Sequence, residues 1–357
     1  MSRPSPLHEE HLAAGARLAD IDGGLQPVDF GDPRSEYEAL RSGAGLADLA
    51  RHGRLRIRGA DRASFLHNMV TNDVLGLRPG QGCNAAKLTL QGKMEAGLHV
   101  LCFEDEIWCE LEAAPAAALQ AALERHRIME DASIEDVTAE SALLTVQGPR
   151  ASAALQAAGV ETADLDAELR HAVRRVGGVE ARVVRLDRSG AGGFDVWVAT
   201  ARAGEVWRAL RDAGGARPVG CEALEVRRIE AGIPRAGAEV TGEYFPMEAG
   251  LDVGWISYTK GCYLGQETIS RLHHLGHVNR YLRGLVLDGD EVPSRGSAVR
   301  AGDDRVGEIT SSARSPHLGR AIALAYVHRT HAEPGTELHV EAASGRLAAQ
   351  VVFLPFV

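Results

Sequence analysis

The segment from Lys260 to Glu267 has residue types and a spacing that could do chemistry, and it reads Lys-Gly-Cys-Tyr-Leu-Gly-Gln-Glu. Gly261 and Gly265 let the backbone turn tightly around the Cys-Tyr pair. A cation near a cysteine favours the thiolate, which is the form that acts as a nucleophile or as a soft metal ligand. Because Lys260 stands two residues from Cys262, this cysteine is a candidate for such a thiol. The residue types alone favour the alternative, which is a buried structural cysteine in a turn.

Three histidines lie just downstream, at His273, His274 and His277. On a helix, His273 and His277 would share one face at the i, i+4 spacing that metal ligands use. Gly276 interrupts such a helix, and the sequence supplies no clear third ligand. We therefore assign no metal site, and surface or hydrogen-bonding roles are the alternative for these histidines.

The segment 223–232 is typical of a helix that ends at Gly232. Ala223, Val226 and Glu230 fall on one face of that helix. A carboxylate on an apolar face needs a partner, which is either an internal cation or a ligand that donates hydrogen bonds. The residue types favour an ion pair with Arg227 or another arginine.

The elements that must position these residues alternate irregularly along the chain. Helices are predicted after Asp61, over 115–127 with Pro115 in the first turn, and over 150–158 and 204–213. Short β-type runs lie between them, at 55–57, 98–101, 142–146, 183–186 and 194–198. This alternation favours an α+β class over a doubly wound sheet. After about residue 280, short apolar runs separated by turns predict a small antiparallel barrel or sandwich.

Charge, cysteine content and missing signatures exclude several classes of protein. The 357 residues carry a net charge of −10, which disfavours broad binding to nucleic acid or to an anionic membrane. The five cysteines have no C-x-x-C spacing, no apolar run reaches the length of a transmembrane helix, and the N-terminus does not read as a signal peptide. We expect a cytoplasmic protein with reduced thiols. Dinucleotide-binding, P-loop and common hydrolase motifs are also absent from the sequence.

The 260–267 segment closely resembles the K-G-C-Y-x-G-Q-E signature of the YgfZ family. Those proteins bind folate, are implicated in the maturation or repair of iron–sulfur enzymes, and are related to the glycine cleavage T-protein (aminomethyltransferase). The resemblance covers nearly the whole chain. Shorter stretches similar to the T-protein superfamily follow one another in the same order: 8–15, 36–48, Phe65–Asp73, Gln147–Pro149, Arg228–Gly232, Gly307–Ser311 and Ser315-Pro316.

This resemblance implies an α+β fold, a cloverleaf of mixed α/β domains around a central folate channel, closed by a small C-terminal antiparallel β-barrel. The implied parts are 1–140 and 141–279, which together form the folate-binding core, and the barrel at 280–357. The implied cofactor is tetrahydrofolate or a one-carbon derivative, with Glu230 and Arg228 as folate-binding residues. The N–H groups of a pterin suit a carboxylate acceptor, because charge-assisted hydrogen bonds are the stronger kind.

The resemblance also implies what the 260–267 segment does. It implies that Cys262 is the functional thiol and that Lys260 favours the ionised form of this thiol. The turn around the thiol is shaped by Gly261, Tyr263, Gly265, Gln266 and Glu267. One cysteine cannot hold an iron–sulfur cluster that normally needs four ligands. The implied partners are therefore iron–sulfur client or assembly proteins besides folate, with no direct nucleic-acid or membrane partner.

One departure separates the chain from the aminomethyltransferases it resembles. T-proteins carry an Asp-Asp pair after a glycine-rich turn, and the first Asp is needed for aminomethyl transfer, whereas Ala96 and Gly97 stand in those places here. Glu95 is adjacent, but neighbouring strand positions point to opposite faces. We therefore expect a folate-binding accessory protein of YgfZ type. The alternatives are a transferase or demethylase in which Glu95 or another acid replaces the Asp, and a binding module with a vestigial folate channel.

Overall fold

The computed structural model describes residues 3–21, 24–112 and 116–357. Pro115, which the sequence predicts in the first turn of a helix, lies outside the described residues. The helices are α1 (His8–Ala13), α2 (Pro33–Ser42), α3 (Arg62–Met69), α4 (Ala116–Glu124), α5 (Ala151–Ala157), α6 (Ala203–Arg208), α7 (Cys221–Glu230), α8 (Asp252–Trp255) and α9 (Gln266–Leu275). Helix α8 is a single turn interrupted by non-helical backbone at Val253 and Gly254.

The described strands run from the N-terminal region to the end of the chain. They are β1 (Arg3–Pro4), β2 (Arg17–Ile21), β3 (Gly24–Asp29), β4 (Gly45–Asp48), β5 (Gly53–Arg58), β6 (Gln81–Leu88), β7 (Met94–Cys102), β8 (Glu106–Leu111), β9 (Ser133–Asp136), β10 (Ser141–Gln147), β11 (His171–Val176), β12 (Val179–Arg185), β13 (Gly193–Ala199), β14 (Arg217–Pro218), β15 (Arg280–Leu287), β16 (Ala298–Ala301), β17 (Asp304–Ser315), β18 (Arg320–His328), β19 (Glu337–Ala342) and β20 (Gly345–Val352).

Local sequence explains where several helices begin and end. The Asp32 carboxylate accepts a hydrogen bond from the Ser35 backbone N–H at 3.1 Å and so caps α2. Helix α3 begins directly after Asp61, whose carbonyl accepts from the Phe65 N–H at 2.8 Å. The helix predicted over 204–213 is α6 followed by a π-helical turn at Ala209–Ala213.

The first compact unit comprises Met1–Phe65, Val74–Cys83 and His99–Arg227. It contains a six-stranded sheet of order β11-β12-β13-β10-β4-β14 and a three-stranded sheet of order β1-β3-β2. Helices α5 and α6 cover the six-stranded sheet, and Leu155 and Trp207 pack with Phe194 in its core. A five-stranded sheet has the order β6-β7-β8-β5-β9.

The second compact unit comprises Leu66–Asp73, Asn84–Leu98 and Arg228–Val357. Its C-terminal part is a closed barrel of order β15-β18-β17-β16-β19-β20, with Leu285, Val299, Ile309 and Val351 in the core. Apolar side chains alternate along these strands because successive residues face the interior and the exterior in turn. The predicted α+β class and C-terminal antiparallel barrel are confirmed. The division into 1–140, 141–279 and 280–357 stays a prediction.

The helices in the part of the chain that the structure describes do not include a candidate membrane span. None of its helices combines the length and the apolar character that a bilayer crossing requires.

Candidate functional site

Lys260 fastens the 260–267 segment to the end of helix α3. Its ammonium group donates to the carbonyl oxygens of Val70 at 2.7 Å and Asn72 at 3.0 Å, and also to that of His67. Carbonyls at the end of a helix lack intrahelical partners, and a cation there also interacts favourably with the helix dipole. Lys260 therefore stabilises the backbone on which the rest of the segment rests.

Tyr263 and Gly265 fix the turn that follows Cys262. The Tyr263 ring is buried and lies 5.0 Å from the Lys260 Nζ atom, and burial raises the pKa of its phenol. Gly265 has φ +83°, and a Cβ atom there would lie 2.5 Å from the Thr89 carbonyl oxygen. The Gln266 N–H donates to the Tyr263 carbonyl at 3.2 Å, and α9 begins at Gln266. Only glycine fits position 265 without displacing the backbone.

Cys262 is exposed in this turn, beside the exposed Gly261, and Glu267 is exposed in the first turn of α9. In residues 3–21, 24–112 and 116–357, no group of three or more His, Cys, Asp and Glu side chains is arranged to hold a metal ion. Helix α9 ends at Leu275, so it includes His273 but not His277. His273 stacks on Tyr258 with ring centroids 3.8 Å apart. The predicted role of the Cys262 thiol stays a prediction.

Thr71 and Asn72 connect the end of α3 to the backbone around Trp255. The Thr71 hydroxyl donates to the Trp255 carbonyl at 2.6 Å and accepts from the Ala86 N–H at 2.8 Å. The Asn72 side-chain amide donates to the Asn84 and Gly254 carbonyls at 2.7 and 2.9 Å. These bonds hold the Trp255 turn next to strand β6, which explains the Thr-Asn pair in this motif.

Strand β7 carries a carboxylate on the face opposite to its buried residues. Met94, Ala96 and Leu98 are 1%, 8% and 1% exposed, so they alternate with Glu95, whose side chain is 37% exposed. Gly97 shares the face of Glu95, since both lie one position away from the buried set. A Cβ atom on Gly97 would lie 3.0 Å from the Trp255 ring. The Glu95 side chain therefore projects from the same face of the strand against which the Trp255 ring lies.

Lys87 holds this carboxylate from strand β6. Its side chain is 2% exposed, and its Nζ atom lies 2.9 Å from Glu95 Oε2 and donates to the Leu88 carbonyl at 3.0 Å. A buried ammonium group needs such partners, because transfer of an unpaired charge out of water is costly. The hairpin of β6 and β7 thus presents one carboxylate with a fixed cationic partner.

Arg228 and Glu230, the predicted folate-binding residues, are buried at the end of α7. Glu230 is 0% exposed, and its Oε1 atom accepts from the Ser315 hydroxyl at 2.5 Å. Arg228 donates to Glu239 Oε2 at 3.0 Å and to the Ser311 hydroxyl at 2.7 Å. The structure therefore brings together three motifs that are far apart in the sequence: Arg228–Gly232, Gly307–Ser311 and Ser315-Pro316. Their role in binding folate stays a prediction.

Sequence reasoning missed two members of this site, Lys87 and Trp255. A signal existed for Lys87, which follows Ala85 and Ala86 and precedes Leu88 in a strand whose other side chains are buried there. A lysine in such a run needs an acidic partner. No comparable signal existed for Trp255, because its place beside Gly97 depends on the bonds of Thr71 and Asn72.

Comparison with known proteins gives matches along nearly the whole chain. The family model described as GCVT N-terminal domain matches residues 7–257, and that of the glycine cleavage T-protein C-terminal barrel domain matches residues 280–357. An aminomethyltransferase of Rubrobacter xylanophilus is 35% identical over 356 residues, which cover 99% of this chain and 94% of the relative. An aminomethyltransferase of Saccharopolyspora erythraea is 34% identical and covers 99% of this chain and 98% of the relative.

The fold is also similar to a solved structure. The crystal structure of glycine cleavage system aminomethyltransferase T from Bartonella henselae superposes with a TM-score of 0.89 at 22% identity. The match covers 100% of this chain and 98% of that one. At this identity the likeness establishes the fold alone.

Proposed function

The chain belongs to the glycine cleavage T-protein family, and from this premise we propose that it is a tetrahydrofolate-dependent aminomethyltransferase. The observation that carries the proposal is Glu95, a partly exposed carboxylate held by the buried Lys87 on the strand face next to Trp255. Relatives named aminomethyltransferase, aligned over 99% of the chain, favour this enzyme over the accessory protein that the missing Asp pair led us to expect.

The burial pattern of β7 supports Glu95 as the acid in place of that pair. Ala96 lies on the buried face of the strand between Met94 and Leu98. A carboxylate at position 96 would be removed from water and would need its own buried partner. Glu95 already has one in Lys87 and keeps access to solvent. In our proposal the acid of this enzyme is therefore at position 95.

Tetrahydrofolate is the cofactor of aminomethyltransferases in this family, and residues of the second unit fit its pterin. A pterin is a flat heteroaromatic ring with N–H donors, for which an aromatic surface and carboxylate acceptors are suitable partners. Trp255 supplies such an aromatic surface, on the strand face that also carries the reacting acid Glu95. Glu230 is a further carboxylate, held in one position by Ser315, and we propose it as a pterin anchor.

The proposed reaction moves one carbon without any change in oxidation state. Bound tetrahydrofolate would supply the two nitrogens that take up the carbon. The donor is written X–CH2–NH3+, where X is the group that carries the aminomethyl carbon. Tetrahydrofolate and this donor would give methylenetetrahydrofolate, X–H and NH4+. The chain's own contribution is proton handling and orientation. Lys87 engages Glu95 Oε2, and in our proposal Glu95 Oε1 is the atom that holds the proton near the reacting amine. Trp255 lies against the same strand face at Gly97.

The test is calorimetric titration of tetrahydrofolate and an aminomethyl-transfer assay on wild type and Glu95→Gln. We expect both proteins to bind tetrahydrofolate with dissociation constants within about threefold, and Glu95→Gln to have a kcat about 100-fold lower, which is a typical contribution of a general acid or base. The matched control is Glu243→Gln, an exposed carboxylate of the same unit. Wild-type protein that binds tetrahydrofolate without transferring the carbon would contradict the proposal.

A second candidate function is the YgfZ-type accessory role, which the exposure of Cys262 within the 260–267 segment favours. In that case tetrahydrofolate binds without turnover and the thiol acts on iron–sulfur enzymes. Cys262→Ser separates the two candidates. A transferase keeps its kcat in this variant, whereas an accessory protein loses its ability to restore iron–sulfur enzyme activity in cells that lack the native protein.

A further inference from the structure

We infer that Lys87 is a positioning residue for the transfer reaction, which it serves by holding the Glu95 carboxylate in one orientation. The inference rests on the proposed function and goes beyond it, because neither the sequence motifs nor the assigned acid requires a lysine in strand β6. Lys87 touches Glu95 and the Leu88 carbonyl and is assigned no contact with substrate.

The burial of Lys87 distinguishes this ion pair from an ordinary surface pair. Lys87 is 2% exposed, whereas the Glu95 side chain is 37% exposed. Exposed pairs contribute little because water screens them and because both long side chains must be ordered. Here Lys87 is already fixed within the protein, and Glu95 extends from Lys87 towards solvent. The ordering cost of the lysine is met in folding, before any substrate binds.

The strand that carries Lys87 is itself held at several points. Val70 and Lys87 form an isolated antiparallel bridge between their backbones. At the neighbouring residue Ala86, the N–H donates to the Thr71 hydroxyl at 2.8 Å and the carbonyl accepts from the Thr71 N–H at 3.0 Å. A side chain on such a strand starts from a rigid backbone, which is the usual requirement for precise placement of a reacting group.

The bond to Lys87 also selects one oxygen of Glu95. A free glutamate samples several rotamers and turns its two oxygens freely, so that neither is fixed in space. Once Oε2 is engaged at 2.9 Å, the position of Oε1 follows from the plane of the carboxylate. Misplacement of a reacting group by about 1 Å can lower a rate by about 100-fold. We therefore expect the loss of Lys87 to lower kcat with little effect on folate binding.

The experiment uses the full chain with Lys87→Met, Lys87→Arg, Glu95→Gln and the double variant Lys87→Met/Glu95→Gln. Lys93→Met is the matched control, since Lys93 ends the same hairpin turn and its Nζ donates to the Glu243 carbonyl at 3.0 Å. For each protein we would measure kcat, the tetrahydrofolate dissociation constant by calorimetry, and the thermal midpoint of the folate-free protein. The last two do not depend on turnover.

We expect Lys87→Met to lower kcat by about 10- to 100-fold with the dissociation constant within about threefold of wild type. Lys87→Arg keeps the cation and should recover most of the rate. In the Glu95→Gln background, Lys87→Met should cause no further loss of kcat, because the lysine acts through that carboxylate. The decreases in thermal midpoint caused by Lys87→Met and by Glu95→Gln should likewise not add up in the double variant. Lys93→Met should keep the wild-type kcat.

Different results separate the failure of this inference from the failure of the proposed function. Suppose that wild type transfers the carbon and Glu95→Gln does not. If Lys87→Met is then as active as wild type, or if its loss of kcat adds fully to that of Glu95→Gln, the positioning role is overturned and the proposed function stands. If wild type binds folate without transfer, both are overturned. If Lys87→Met does not fold, Lys87→Arg decides: an arginine variant that folds, binds folate and has lost its rate beyond 100-fold would also overturn the role, because the cation is then present without its effect.

Discussion

The Lys260 ammonium group donates to three carbonyl oxygens, those of His67, Val70 and Asn72. An ammonium group has three protons, so these bonds account for all of them. The sequence predicts that Lys260 favours the thiolate of Cys262. These bonds hold the Lys260 ammonium group against the backbone, and its predicted effect on the Cys262 thiol stays a prediction.

Glu230 gives a prediction at the scale of one residue, because two roles for it lead to different results. If it anchors a pterin by a charge-assisted hydrogen bond, Glu230→Gln should weaken tetrahydrofolate binding by about 1.5 to 3 kcal/mol, or roughly 10- to 150-fold. Calorimetric titration of the two proteins measures this directly. An unchanged dissociation constant would leave Glu230 a structural role, to which its contact with the Ser315 hydroxyl belongs.

Ser315→Ala is the matched control for Glu230→Gln. It removes the hydroxyl that donates to the buried carboxylate but leaves the carboxylate itself in place. Loss of a partner of a buried charged group destabilises a protein by about 1 to 3 kcal/mol. We expect this variant to unfold at a lower urea concentration than wild type. If its stability is unchanged, the link between α7 and β17 contributes less than the burial of both groups implies.

At the scale of elements, the pairing of β7 and β8 creates a pH-dependent contribution to stability. It places His99 directly opposite Glu110, and His52, Arg188 and Asp195 surround the pair. Burial lowers the pKa of His99 to about 4, and Glu110 only partly offsets this effect. An unfolded histidine takes up a proton near pH 6.5. Between these two values the unfolded chain binds a proton that the folded chain does not.

The free energy of unfolding should therefore fall as the pH drops from about 6.5 towards 4, and at about pH 5 His99 alone accounts for about 2 kcal/mol. Although burial opposes it, Arg188 and the two histidines hold the pKa of Glu110 well below its usual range, so its contribution is lost only at lower pH. Urea unfolding of wild type and His99→Asn at about pH 7.5 and about pH 5 measures the effect. Equal losses in both proteins would contradict it.

The turn that begins α9 gives a prediction based on two glycines of one segment. Gly265 has φ +83° and no room for a Cβ atom, whereas nothing lies within 4 Å of a Cβ atom added to Gly261. A left-handed conformation is unfavourable for alanine, and a clash with backbone adds to that strain. Gly265→Ala should lower the free energy of unfolding by about 2 to 4 kcal/mol. Gly261→Ala should stay within about 1 kcal/mol of wild type. If Gly265→Ala loses as little stability as Gly261→Ala, the turn relaxes easily and the prediction is wrong.

Elements were more predictable than the contacts between them, for a physical reason. The helix after Asp61, the strands around 142–146 and 194–198, and the C-terminal barrel all follow from apolar periodicity and turn signals that act over a few residues. The pairing of Lys87 with Glu95 depends on the register of a hairpin, and the position of Trp255 depends on bonds from Thr71 and Asn72. Such long-range geometry has no local pattern.

At the scale of the whole molecule, the chain forms two compact units that are each discontinuous in sequence. The second unit combines the barrel and the 228–275 region with two short stretches from the N-terminal half, 66–73 and 84–98. Sequence patterns predict boundaries between consecutive segments, and so they cannot reveal that short stretches are taken from one region into another. The candidate site combines residues of these stretches, such as Lys87 and Glu95, with residues of the 228–275 region, such as Glu230 and Trp255. This explains why its motifs were recognised but its geometry was not.

Folate binding should stabilise the whole molecule through the second unit. A ligand that binds only the folded state, at 100 times its dissociation constant, adds about 2.7 kcal/mol to the free energy of unfolding. For a chain of 357 residues this corresponds to a rise of about 3 to 5 °C in the thermal midpoint. If the units unfold in separate calorimetric transitions, the shift belongs to the transition of the unit that holds Glu95, Trp255 and Glu230. Cys262→Ser should show the same rise, because the transferase does not use the thiol. A midpoint that tetrahydrofolate does not move in wild type would remove folate from the function, and with it the proposed transfer, while the family and the fold would stand.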